Sequence, residues 1–315
     1  MMKAKNKLAN ALTMRAASAI NNLSTRDLRM SNEPITLNAQ FSERIGHTSV
    51  VFHDKLWVIG GLGANIQSLN DVWYSEDGKD WTEATPNAQF LERTEHTSVV
   101  FDGKLWVIGG YDANHQYLND VWYSEDGKDW IEATPNAQFS ERSGHTSVVF
   151  DDKIWVIGSD FLNDVWYSKD GKDWTEATPN AQFSGRYLHT SVVFDNKLWV
   201  IGGLDTNIQS LSDVWYSKDG KNWTEAISSA PFSGRHSHAS VVFEDKLWVI
   251  GGFISNDVFL NDVWYSVDGA EWKQAIDNVL FSQRYHHKSI TFREKVWVIG
   301  GQDVDGGLND VWALE

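Results

Sequence analysis

The 315-residue chain has no cysteine. That removes disulfides, thiolate metal sites, cysteine nucleophiles and any cofactor crosslinked through sulfur. Cations are in deficit: 27 Lys and Arg against 43 Asp and Glu leave a formal charge of −16. Such a chain repels a phosphate backbone, so nucleic acid is not an expected partner. No apolar run approaches the ~18 residues that would span a bilayer, and no transmembrane segment is expected. Proline is scarce, at five residues, and no 3.6-residue period runs anywhere after residue 33. What is abundant is tryptophan, with 17 residues, and glycine, with 24.

The tryptophans are explained by an internal repeat. The segment Phe-x-x-Arg-x-x-His-x-Ser recurs six times, with arginines at 44, 93, 142, 186, 235 and 284. All spacings are 49 residues except the third, which is 44. Downstream of each arginine stand a Lys-hydrophobic-Trp-Val-Ile-Gly segment and an Asp-Val-Trp segment. Five copies add a further Trp after an Asp-Gly turn, and together these marks account for every tryptophan.

Each copy reads as four short strands. His47–Phe52 is β-branched and aromatic, Lys55–Ile59 ends in Gly60-Gly61, Asp71–Tyr74 follows a loop, and Asp77-Gly78 turns the chain into Asp80–Ala84. Four antiparallel strands at a period near 48 residues describe a propeller blade, and six copies predict an all-β, six-bladed β-propeller over residues 34–315. The double glycine, with a Tyr and a Trp seven residues apart across the hairpin (Tyr74 and Trp81 in the first copy), resembles the Kelch-repeat family and its galactose-oxidase-like superfamily. The third copy departs from the pattern, with Gly158-Ser159 and a shorter loop. The last copy stops after its third strand, at Glu315, while Ile35–Phe41 aligns with the end of a fourth strand. The N-terminal strand is therefore expected to close the ring. Residues 1–33, with six cations and two acids, read as a basic tail or a targeting segment. Residues 1–30 are compatible with an organelle transit peptide, although a cytoplasmic location is the simpler expectation.

Positions shared by all six copies serve the blade, and positions that differ are free to serve a ligand. The arginines read chiefly as partners of Asp71, Asp120, Asp164, Asp213, Asp262 and Asp310, placed in neighbouring blades. The histidines at 47, 96, 145, 189, 238 and 287 read as packed strand starters, and no metal or other cofactor is expected. Divergence concentrates in the pair between Arg and His and in the loop between strands two and three. Strand parity puts both on one face. Tyr187, His236, Tyr285 and His286, beside Arg186, Arg235 and Arg284, are the candidate ligand-binding residues, suited to an anionic or carbohydrate-like molecule or a protein partner. The chain is expected to act as a monomeric binding module. The Kelch resemblance also admits sugar mutarotases, for which Glu95 and Arg93 are the catalytic candidates. The copper-radical chemistry of a related propeller needs a cysteine this chain lacks. The ubiquitin-ligase adaptors of the family carry an N-terminal dimerisation domain for which 33 residues leave no room.

Overall fold

The computed structural model describes residues 31, 33–255, 258–276 and 279–315. The basic segment singled out at 1–33 falls almost wholly outside them. No described helix is long and apolar enough to cross a membrane.

Six antiparallel sheets form the ring of a β-propeller. Blade one is representative: Thr48–Phe52 lies innermost, followed outward by Lys55–Gly63, Gln67–Ser75 and Trp81–Thr85. In blades one, two and four a two-residue strand carrying the arginine (Arg44–Ile45, Arg93–Thr94 and Arg186–Tyr187) also pairs with the end of the second strand, making five strands where four are expected. Between strands two and three the register shifts at the double glycine. Gly60 and Gly61 take φ of 53° and 107° there. A Cβ on Gly61 would stand 2.8 Å from both His47 Cβ and the Ile45 carbonyl oxygen, so a side chain fits neither the backbone nor the space. Blade three places Ser159 at the corresponding position with φ 138°, its hydroxyl donating to the Ser143 carbonyl at 2.7 Å.

The hairpin between strands three and four is built by side chains accepting from backbone. Ser75 Oγ accepts from Gly78 N at 2.8 Å, and Asp77 Oδ1 from Lys79 N and Asp80 N at 2.9 and 3.0 Å. These bonds explain the repeated Ser-x-Asp-Gly without a ligand.

Ring closure follows from the alignment of the two ends. Ile35 N donates to the Val311 carbonyl at 2.8 Å, Val311 N to Thr36 at 2.9 Å, and Ala39 N to Asn309 at 3.1 Å. The N-terminal segment thus stands as the outer strand of blade six. Ala39 and Phe41 are buried there with Trp297, Ile299, Val311 and Ala313 of blade six and Leu56, Val58 and Trp81 of blade one.

Adjacent blades lock through the second-strand tryptophan. Trp57, whose Nε1 donates to the Phe52 carbonyl at 2.8 Å, packs over Gly127 in the hairpin of blade two. A Cβ on Gly127 would lie 2.2 Å from Trp57 Cζ3, and the residue has φ +79°. Gly127→Ala should therefore cost about 3 kcal/mol, from overpacking and left-handed backbone strain together. Urea unfolding measures it, and a midpoint equal to that of the native chain would show that this contact does not lock the blades.

Candidate functional site

The innermost strands surround a central channel. At its mouth Gly46, Glu95, Gly144, Leu188, Ser237 and His286 occupy the same place in successive blades, all with φ between 52° and 61°. Their peptide groups bond around the ring, Glu95 N to Gly46 O at 2.8 Å, Gly144 N to Glu95 O at 3.0 Å, Leu188 N to Gly144 O at 3.0 Å, Ser237 N to Leu188 O and His286 N to Ser237 O both at 2.9 Å. This fixes the mouth as a rigid collar on which only the side chains differ.

Beneath the collar lie the six repeated histidines, all buried. Burial pushes every one of these imidazoles below its ordinary range, with the neighbouring arginine adding to the effect, and His189 falls to about 3. They are neutral packing elements, as strand starters should be.

The six arginines are fully buried. Arg186 grips Asp213 with both terminal nitrogens, at 2.9 and 2.8 Å, and also donates to the Gly202 carbonyl at 2.9 Å and to the Ser184 carbonyl at 3.1 Å. Arg235 with Asp262 and Arg284 with Asp310 repeat the arrangement, as does Arg93 with Asp120 at 2.7 Å. The aspartates are those expected, but each belongs to the arginine's own repeat, and in blades one, two and four to the same sheet, rather than to a neighbouring blade. The reason is the arginine's path: its backbone runs beside the end of the second strand, which places the guanidinium under the third strand of the same blade. Arg186, Arg235 and Arg284 are spent on this clamp and do not reach the mouth.

The remaining candidates divide between two places. His236 donates to or accepts from Ser210 Oγ at 3.1 Å and meets Phe253 edge-on at 5.3 Å. Tyr285 packs against Phe253 and Phe259 at 5.1 and 5.2 Å, its hydroxyl donating to Gln302 Oε1 at 3.0 Å. These two therefore belong to a filled aromatic cluster above blades five and six. Burial lowers His236 to about 4, with His286 contributing.

Tyr187 and His286 instead border an open cleft of about 620 Å³ above blades one and two. Its wall combines the collar segments (Gly46, Glu92, Thr94, Glu95) with the loops between strands two and three (Ile66–Ser68, Tyr111–Ala113, His115, Tyr117). Both divergent segments thus share one face, as parity requires. The Tyr187 hydroxyl donates to Glu95 Oε2, and so does Ser143 Oγ at 3.1 Å. Burial first, and the Glu95 carboxylate second, push the Tyr187 phenol well above its ordinary range. Tyr117 is also raised, by burial and then by Asp160, Tyr111 and Glu95. Tyr111 stands between Tyr117, at 5.5 Å, and His115, whose Nδ1 bonds the Tyr111 hydroxyl at 2.7 Å. Among the described residues three carboxylates (Glu92, Glu95, Asp112) and three phenols line the cleft, and no Lys or Arg does.

Tyr111 and Glu92 are absent from the sequence-derived candidates. The signal that points to them is inverse: the small groups of blades one to three leave the space that bulky groups fill above blades four to six.

The model of the KLHDC2/KLHL20/DRC7 Kelch-repeats domain matches residues 16–203 and 188–315. No curated protein matches the chain.

Proposed function

Because the chain belongs to the Kelch-repeat family, a fold commonly used for protein interaction, we propose that it is a protein-binding module that captures a basic segment of its partner on the collar face. The observation that carries this reading is the lining of the 620 Å³ cleft: carboxylates and tyrosine rings together, with no Lys or Arg among the described residues that line it. An ammonium or guanidinium group entering it meets Glu95 and Glu92 and the faces of Tyr111 and Tyr117. The partner's main chain would run over the collar and the exposed Tyr117. An anionic ligand at this face would meet only like charge, since the arginines expected to hold it lie inside the blades. The mutarotase reading fares no better: Arg93 is clamped by Asp120, while Glu95 accepts from Tyr187 and Ser143, so the two do not face one reacting group.

A peptide array on the full chain tests this. Peptides with Lys or Arg flanked by apolar residues should bind, and the same peptides with Glu at those positions should not. The Glu92→Gln, Glu95→Gln double variant should weaken binding of the selected basic peptide at least tenfold, with its melting temperature close to native. Equal retention of basic and acidic peptides, or unchanged affinity in the double variant, would rule the cleft out.

A further inference from the structure

In four of the six blades the innermost strand opens with threonine, and its hydroxyl bonds the Nε2 of the next blade's repeated histidine. Thr48 meets His96 at 3.3 Å, Thr97 meets His145 at 3.0 Å, Thr146 meets His189 at 3.1 Å and Thr190 meets His238 at 2.9 Å. The chain breaks this rule at two consecutive positions, Ala239 and Lys288. The histidines that those positions would serve, His287 and His47, are buried with both ring nitrogens unpartnered.

Thr190 also bonds Ser240 Oγ at 2.6 Å, which identifies what the strand-opening residue faces across a blade junction: a histidine and a serine two residues further on. At the junction of blades six and one the corresponding pair is His47 and Ser49, facing Lys288. Ser49 Oγ and Ser289 Oγ are buried without a partner as well. Among the described residues neither a hydrogen bond nor an ion pair engages the Lys288 ammonium, and it is the one Lys or Arg on the wall of the channel cavity of about 220 Å³. A charged amine in such surroundings is costly without a counter-charge. Glu95 is the carboxylate that Lys288 senses, but it stands beyond 4.0 Å and accepts from Tyr187 and Ser143. The other titratable groups around Lys288 are His47, His96, His286 and His287, all held neutral by burial. They offer N–H donors and add no competing charge.

We propose that the channel is a binding site for a small monovalent anion, a halide or a simple carboxylate, held on the Lys288 ammonium with the Ser49 hydroxyl and the His47 imidazole N–H as further donors. The channel and the acidic cleft meet at the collar, where Gly46, Glu95 and His286 line both; Lys288, His47 and Ser49 lie on the channel side, with Glu95 already accepting from Tyr187 and Ser143. The cavity of about 220 Å³ has room for a small anion together with water, and the chain's overall negative charge opposes polyanions.

The test uses the full chain in sodium bromide, sodium formate or sodium gluconate at equal ionic strength, gluconate serving as the bulky, strongly hydrated reference ion. The melting temperature should rise by a few degrees from gluconate to bromide or formate. Crystals grown in bromide should show an anomalous peak at hydrogen-bond distance from Lys288 Nζ. Lys288→Thr restores the hydroxyl of the other blades to His47, so it should fold, lose the anomalous peak and melt at one temperature in all three salts. A response to bromide alone makes the site a halide site, and a response to formate as well makes it a carboxylate site. Identical melting of the native chain in the three salts with no bromide peak would overturn the proposal, as would an unchanged salt response in Lys288→Thr.

Discussion

Lowering the pH from 7.5 to 5.5 should remove about 8 kcal/mol of folding free energy, far more than an acidic protein loses through its carboxylates in that range. The cause is the ring of six buried histidines beneath the collar, each held neutral well below the ordinary imidazole range. In the unfolded chain the same groups titrate near 6.5. Between the two values the unfolded chain binds more protons, so stability reaches its full value about one unit above pH 6.5 and falls as the pH drops through 6.5 toward the folded values. One unit below 6.5, each histidine contributes about 1.4 kcal/mol to the loss, and six approach the whole stability of an ordinary domain. His236, lowered to about 4, and His286, lowered to about 3, act in the same direction. The hairpin aspartates act in a separate window. Burial raises Asp219, but the N–H donors of Asn222 and Lys221 and the Ser217 hydroxyl outweigh it and bring it to about 2. Its share of stability is present above its unfolded value, near 4, and goes only below that. Urea unfolding at pH 7.5, 6.5 and 5.5 checks the expectation. The urea midpoint should fall modestly between the first two, where six half-protonated unfolded histidines cost about 2 kcal/mol, and collapse at the third; a constant midpoint across all three would contradict the neutral-histidine ring.

The blade repeat was legible because it uses a few residue types at fixed spacing for local purposes. Trp57 over Gly127, Asp77 capping its own hairpin and Gly60-Gly61 in the bulge leave one signature per blade. The pairing of Arg44 with Asp71 could be matched by copy number, but not which sheet holds both, since that depends on the path of two residues before the first strand. The cleft was half legible. Divergent segments marked the face, and Tyr187, His286 and Glu95 do border it. Its position was not, because a scan for bulky polar groups favours Tyr285 and His236, which fill space with Phe253 and Phe259 instead of lining it. The exchange of Thr for Lys at 288 is plain in an alignment of the copies. It acquires meaning only from a hydroxyl-to-imidazole bond that crosses blades and has no trace in spacing.

A chain that begins at residue 41 should be destabilised by about 5 kcal/mol, although the lost segment is short and lies at the edge of one sheet. The truncation removes the backbone bonds from Ile35, Thr36 and Ala39 to blade six and the Ala39 carbonyl that accepts from Asn309 Nδ2. It also removes Gln40, whose Oε1 accepts from Trp81 N at 2.7 Å and ties the closing strand to the hairpin of blade one. Several bonds at about 1 kcal/mol each reach that figure before any apolar loss is counted. The apolar loss falls on the cluster shared by the first and last blades, where Ala39 packs with Trp81, Trp297 and Val311. The effect is therefore one of ring integrity: with this seam open, blade six exposes an unpaired edge along Gly307–Leu314 and the ring can unzip from its two free ends. A repair from the opposite end separates ring integrity from simple loss of residues. Adding Asp-Gly-Lys and a copy of residues 31–40 after Glu315, which stands in the place of Glu76, gives blade six a fourth strand with a connection of the length used by the other blades. The repaired chain should recover most of the lost stability in urea unfolding. If the truncated chain alone unfolds at the native urea concentration, the N-terminal strand does not hold the propeller shut.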